Sequence, residues 1–160
     1  MTTHENLTVP YHQQDTNYYC GAACAQMVLA SANVGAGILD QDDLYADNHS
    51  HSTIESGWAS GPDGLTWTMN DRRPPAFTNP FVLFALSNED STSRKIIWTI
   101  HHYQVAPISL VFGSAHWIVV RGYQASAAPA NSGDTSYTIS SFDVNNPWPP
   151  CPSWDAPPPP

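Results

Sequence analysis

The segment that most restricts the fold runs from Cys20 to Asn33, where a polar opening gives way to Ala, Met, Val and Leu. Ala23, Met27 and Ala30 fall on one face of a 3.6-residue period, with Val28 beside them. The pattern predicts a buried, Ala-rich helix ended by Asn33 and Gly35. Its apolar side chains need covering by whatever the rest of the chain folds into.

Before it, Leu7, Val9 and Tyr11 alternate as a short strand would, and a polar turn covers Gln13 to Asn17. After it, Asp40–Tyr45 reads as a second short helix with Asp40 as N-cap. Residues 46 to 76 are rich in Asn, His, Ser, Gly and Pro and read as loops, with a short helix near Thr66–Asp71. Phe81–Leu86 is an apolar run that fits helix or strand. Ser91–Tyr103 is helical by pattern, capped by Ser91 or Thr92, with Ile96, Ile97, Ile100 and Tyr103 as its buried stripe.

The period then changes to two. Pro107–Phe112, His116–Tyr123 and Tyr137–Val144 are strand candidates rich in Val, Ile, Tyr and Thr. Gly113–Ser114 links the first pair tightly, and Ala125–Asp134 is a longer loop. Helices first and antiparallel strands second make an α+β fold. Residues 1–148 form one domain, and 149–160 form a Pro-rich tail or linker, extended as polyproline II.

Five basic residues against fourteen acidic ones leave a net charge of −9, which repels phosphate backbones and anionic membranes. No stretch approaches the ~20 apolar residues of a membrane span. Met1–Gln14 lacks the charged-then-apolar order of a secretory signal, so the expected location is cytoplasmic, or outside by a route without a signal peptide. Three cysteines is an odd count and no disulfide framework. His49–Ser50–His51 and His101–His102 lack the partners of a tetrahedral metal site, and no phosphate-binding Gly loop is present. Neither metal nor cofactor is expected, and the expected state is a monomer.

A thiol becomes a good nucleophile where a helix N-terminus or an imidazolium stabilises its thiolate. Cys20 stands where the Ala-rich helix begins, and Gly21 after it allows a substrate backbone to approach. Six residues upstream, the Gln14 amide is placed to donate to a developing oxyanion. His116, at the head of a hydrophobic strand, is the candidate base. At the end of the next strand, where Phe142 and Val144 alternate into the core, Asp143 and Asn146 compete to orient it. Trp67, Trp117 and Trp148 fit either a substrate groove or the core.

The run from Gln14 through Cys20–Gly21 to Leu29 resembles the nucleophile helix of papain-like cysteine peptidases. It is most similar to the compact bacterial branch that includes bacteriocin-leader peptidases and effectors that cut a host protein. Ser114–His116–Trp117 and the alternating residues to Tyr123 resemble that family's His strand. The resemblance implies Cys20 as nucleophile, Gln14 as oxyanion donor, His116 as base and Asn146, directly before Pro147, as the orienting group. Papain reacts through the second cysteine of a similar pattern, which makes Cys24 a rival; but Tyr18, six residues before Cys24, is no amide donor. The implied fold is a helix packed on an antiparallel sheet with the site in the cleft between them. The implied reaction is peptide hydrolysis through an acyl-enzyme, on a peptide or protein substrate. Acyl transfer by the same triad and an inactive peptide-binding module are the alternatives.

Overall fold

The computed structural model describes residues 2–54 and 60–148. The Pro-rich tail 149–160, with Cys151, lies outside the described residues. Four α-helices and four strands are present among those described: β1 (Thr3–Asn6), α1 (Cys20–Leu29), α2 (Gln41–Ser50), α3 (Pro62–Arg72), α4 (Glu89–Trp98), β2 (Ile108–Val111), β3 (His116–Ala125) and β4 (Ile139–Asn145). A π-helical turn, Thr99–Tyr103, continues α4. The architecture is α+β with an antiparallel sheet, and no helix among the described residues is long and apolar enough to cross a membrane.

All ten residues of α1 are buried, so the helix is covered on every side and not only along the face of Ala23 and Met27. It is shorter than the sequence pattern suggests: Ala30 closes it, and a turn carries the chain through Ser31 and Val34. Asp40 caps α2 as expected, accepting from the amides of Asp42 and Asp43, and α2 then runs on to Ser50. In that last stretch, which read as loop, His49 and Ser50 are exposed, while the polar Asn48 is buried along with Leu44. Pro62 opens α3, where its missing N–H costs nothing. Asn88, not Ser91 or Thr92, caps α4. Ile97 and Ile100 are fully buried, but Tyr103 is half exposed, because the π turn shifts it off the stripe.

Strand β3 is the spine of the sheet. Its first half pairs with β2 (Ile108 opposite Val119) and its second half with β1 (Asn6 opposite Gly122) along one edge, while β4 takes the other edge. A bulge between Val120 and Gly122 interrupts the alternation. Trp117 and Val119 therefore face the cluster around α1, whereas Val120, Tyr123 and Ala125 face the cluster formed with Ile97 and Ile100. Both faces of the strand are buried, as a period of two over one face would not predict. The Leu7–Val9–Tyr11 strand does not form; β1 lies earlier, at Thr3–Asn6, and its edge position explains its polar sequence. Of the two β4 residues expected in the core, Phe142 packs inward, whereas Val144 is 44% exposed.

Helices α2 and α3 touch backbone to backbone at Gly64, where a Cβ would lie 2.0 Å from the carbonyl oxygen of Asn48. Helix propensity favours Ala over Gly by about 1 kcal/mol. The overlap dominates, so Gly64→Ala is expected to destabilise the fold by about 3 kcal/mol, read as a lowered urea midpoint with unchanged slope.

Candidate active site

Cys20 is the first residue of α1, whose N-terminus carries no side-chain cap. The sulfur instead faces the backbone N–H groups of Trp117, Gly21 and Cys20 itself. The Trp117 amide is the one after His116, so this contact seats the thiol at the head of β3. Gly21 makes this approach possible: a Cβ there would lie 2.7 Å from the Ser60 Cβ and 3.3 Å from the Trp117 indole. Its smallness lets α1 pack against Trp117 and Ser60. The indole Nε1 donates to the Ser60 carbonyl at 2.9 Å, which locks the pair.

His116 begins β3 and is 1% exposed. Antiparallel pairing sets Asn145 opposite Val119, so the chain beyond β4 runs back alongside His116. This brings Asn146 Oδ1 to 2.8 Å from His116 Nε2. The same oxygen accepts the Trp148 amide at 3.0 Å, which identifies it as the acceptor side of the Asn146 amide. Nε2 therefore carries the proton, and Nδ1, buried without a hydrogen-bond partner, holds the free lone pair. Trp148 lies against the imidazole face at 3.8 Å between ring centres, and Phe112 stacks on Trp148 at 5.6 Å.

Asp143 does not meet His116. It accepts from His4 Nε2 at 2.7 Å and from Asn6, tying β1 to β4. Cys24 is fully buried inside α1 and touches no base. Gln14 is buried; its backbone N–H donates to the Pro147 carbonyl at 2.9 Å and its side-chain Nε2 to the Thr16 carbonyl at 2.7 Å. The Thr16 carbonyl also accepts from Tyr19, so the Gln14 amide lies against the turn that starts α1 and keeps a second N–H to offer. Contacts thus link Gln14 to Pro147, Asn146 to His116 and the Trp117 amide to Cys20, while Asp143 lies against His4 and Cys24 is enclosed within α1.

An open groove of about 910 Å³ is walled by Trp117 of β3, Leu65 and Met69 of α3, Ile108 of β2 and residues 81–86, with none of Gln14, Cys20, His116 and Asn146 in its lining. Phe81–Leu86 is neither helix nor strand; Asn70 holds it by accepting from the Phe81 amide and donating to the Phe81 carbonyl, each at 2.9 Å. Val82 and Phe84 remain largely exposed. Although the chain is strongly acidic, no carboxylate lines the groove among the described residues, and Lys95 reaches over the Phe84 ring. Trp67 is outside the core, stacked on His51, and His102 stacks on Trp98. Among the described residues no three ligating side chains gather as a metal site would require. Compared with family models, with curated proteins and with solved structures, the chain gives no significant match.

Burial pushes the Cys20 thiol up, with the backbone N–H groups offsetting part of the shift. Burial also pushes the His116 imidazole down, against the smaller opposite effect of the Asn146 hydrogen bond. Both groups are thus biased toward their neutral forms in the empty site. Unfolded His116, titrating near its ordinary 6.5, binds more protons than folded His116 just below that pH. Stability is therefore expected to fall as pH drops through about 6.5, and urea titrations of His116→Gln should show a shallower fall.

Proposed function

We propose that this chain is a cysteine peptidase of papain-like arrangement, with Cys20 as nucleophile, His116 as base, Asn146 as the orienting group and Gln14 as oxyanion donor. One observation carries the reading: the Trp117 N–H faces the Cys20 sulfur, while the adjoining His116 has its Nε2 tied to Asn146 and its Nδ1 free. A buried imidazole with one nitrogen fixed as donor and the other unsatisfied, on the residue before the amide that faces the thiol, suits a general base.

The neutral bias of the pair sets the order of events. Cys20 gives its proton to His116 Nδ1 as the sulfur attacks the peptide carbonyl. The carbonyl π pair moves onto oxygen, where Gln14 Nε2 and the Cys20 backbone N–H receive the charge. The Asn146 acceptor stabilises the imidazolium without the full charge a carboxylate would add. His116 then hands its proton to the leaving amine as the C–N bond breaks and a thioester forms. Water, deprotonated by His116, attacks the thioester; the C–S bond breaks and the proton returns to Cys20. The substrate is a peptide or protein segment whose apolar side chains lie in the carboxylate-free groove that Trp117 helps to line.

Iodoacetamide at pH 7 tests this reading, because it reports the nucleophilicity of the thiol without needing a substrate. Cys20 is expected to label selectively in the folded protein, with Cys24 protected by burial. His116→Ala should slow that labelling about a hundredfold, the scale of a lost general base. Labelling of Cys20 that is unaffected by His116→Ala overturns the reading.

A further inference from the structure

The loop that carries Gln14 has no helix or strand, yet an oxyanion donor works only if its N–H points where charge develops. The side chain that holds this loop comes from α2. Gln41 is 3% exposed. Its Oε1 accepts from the Asp15 amide at 3.0 Å and its Nε2 donates to the Gln13 carbonyl at 2.8 Å. The two bonds bracket Gln14 from the residues on either side, as a neighbouring strand would. The second Nε2 proton goes to Gln26 Oε1 at 3.0 Å, and Gln26 Nε2 donates to the Leu39 carbonyl at 2.7 Å.

Every donor and acceptor direction is determined by a backbone partner, so the amide of Gln41 has one orientation. Gln26 lies on α1, the helix that begins with Cys20. The network therefore references the Gln14 loop to the nucleophile's own helix. Holding the fold together does not need it: α1, α2 and α3 already meet through Leu29, Leu44, Leu65 and Met69. An apolar side chain at position 41 would be a cheaper way to fill the volume, since a buried amide contributes only when fully paired.

We propose that Gln41 is a positioning residue, which sets the Gln14 amide relative to Cys20 and so builds the oxyanion site. This rests on the peptidase reading above. Loss of Gln41 should leave the thiol as nucleophilic as before but weaken stabilisation of a tetrahedral oxygen. Two probes separate those effects. Iodoacetamide alkylates Cys20 by displacement of iodide and makes no oxyanion. The aldehyde acetyl-leucyl-leucyl-norleucinal adds reversibly: the C–S bond forms, the C=O π pair moves to oxygen and the thiol proton follows it through His116. Protection of Cys20 from iodoacetamide by this aldehyde then reads the oxyanion site.

Gln41→Met is expected to weaken aldehyde protection about tenfold or more, the scale of a misplaced group, with the unprotected alkylation rate within about twofold of the wild type. Gln14→Ala should weaken it about a hundredfold, and the double variant no further, since Gln41 acts through Gln14. Gln41→Asn keeps both the acceptor and the donors on a shorter stem; it should fall between wild type and Gln41→Met, and it carries the comparison if near-ultraviolet dichroism shows Gln41→Met unfolded. Unchanged protection in a folded variant, or losses that add in the double variant, overturn the role of Gln41 alone. A wild type whose Cys20 fails to label selectively, or labels without aldehyde protection, overturns the peptidase or oxyanion reading and the role of Gln41 with it.

Discussion

The contact between the start of α1 and the start of β3 organises the rest of the molecule. Gly21 has no side chain, so Trp117 and Ser60 close over it, and the Trp117 amide can face the Cys20 sulfur. A larger residue at position 21 would push the helix off the strand and part the thiol from His116. Complete burial of α1 adds to the constraint, because polar groups at its N-terminus can find partners only in the protein around them. The Cys20 sulfur, facing the Gly21 and Cys20 N–H groups, answers part of that need.

Two opposing demands meet at this junction. Burial excludes water and makes each hydrogen bond count for more, yet it penalises the ionised forms of Cys20 and His116. The backbone N–H groups around the sulfur and the Asn146 oxygen at His116 lean the other way without adding net charge. Such an arrangement stores the thiol in its unreactive form and suits a proton transfer that accompanies attack. The Gln14 and Asn146 segments are joined through the bond from the Gln14 amide to the Pro147 carbonyl, so the two loops form one rim.

Much of the candidate site was proposed from the sequence because its parts sit at landmarks that local physics marks. Cys20–Gly21 stands at a sharp change to Ala-rich composition, His116 at the head of the longest strand, and Asn146 before Pro147, where the chain must stay extended. Asp143 looked equivalent to Asn146 by position, but it lies earlier on β4, where the register sets it against Gly122 and within reach of His4. Gln41 gave no local signal, since a polar residue behind an N-cap reads as solvent-facing until α1 and the Gln14 loop are folded around it. The Phe81–Leu86 run was ambiguous for the opposite reason: its apolar residues line a groove without being part of any periodic element.

The sequence by itself determined the α+β order, the buried helix, the cap at Asp40 and the strands after residue 107, because each depends on side-chain periodicity or on a residue's own backbone preference. Only the tertiary structure decided which face each half of β3 presents, since one bulge at Arg121 reverses the alternation. It also decided that Gly21 is a packing requirement, that Asn146 rather than Asp143 meets the imidazole, and that Gln41 brackets Gln14. These depend on distances between segments far apart in the chain, which strand register and helix packing set and no local pattern records.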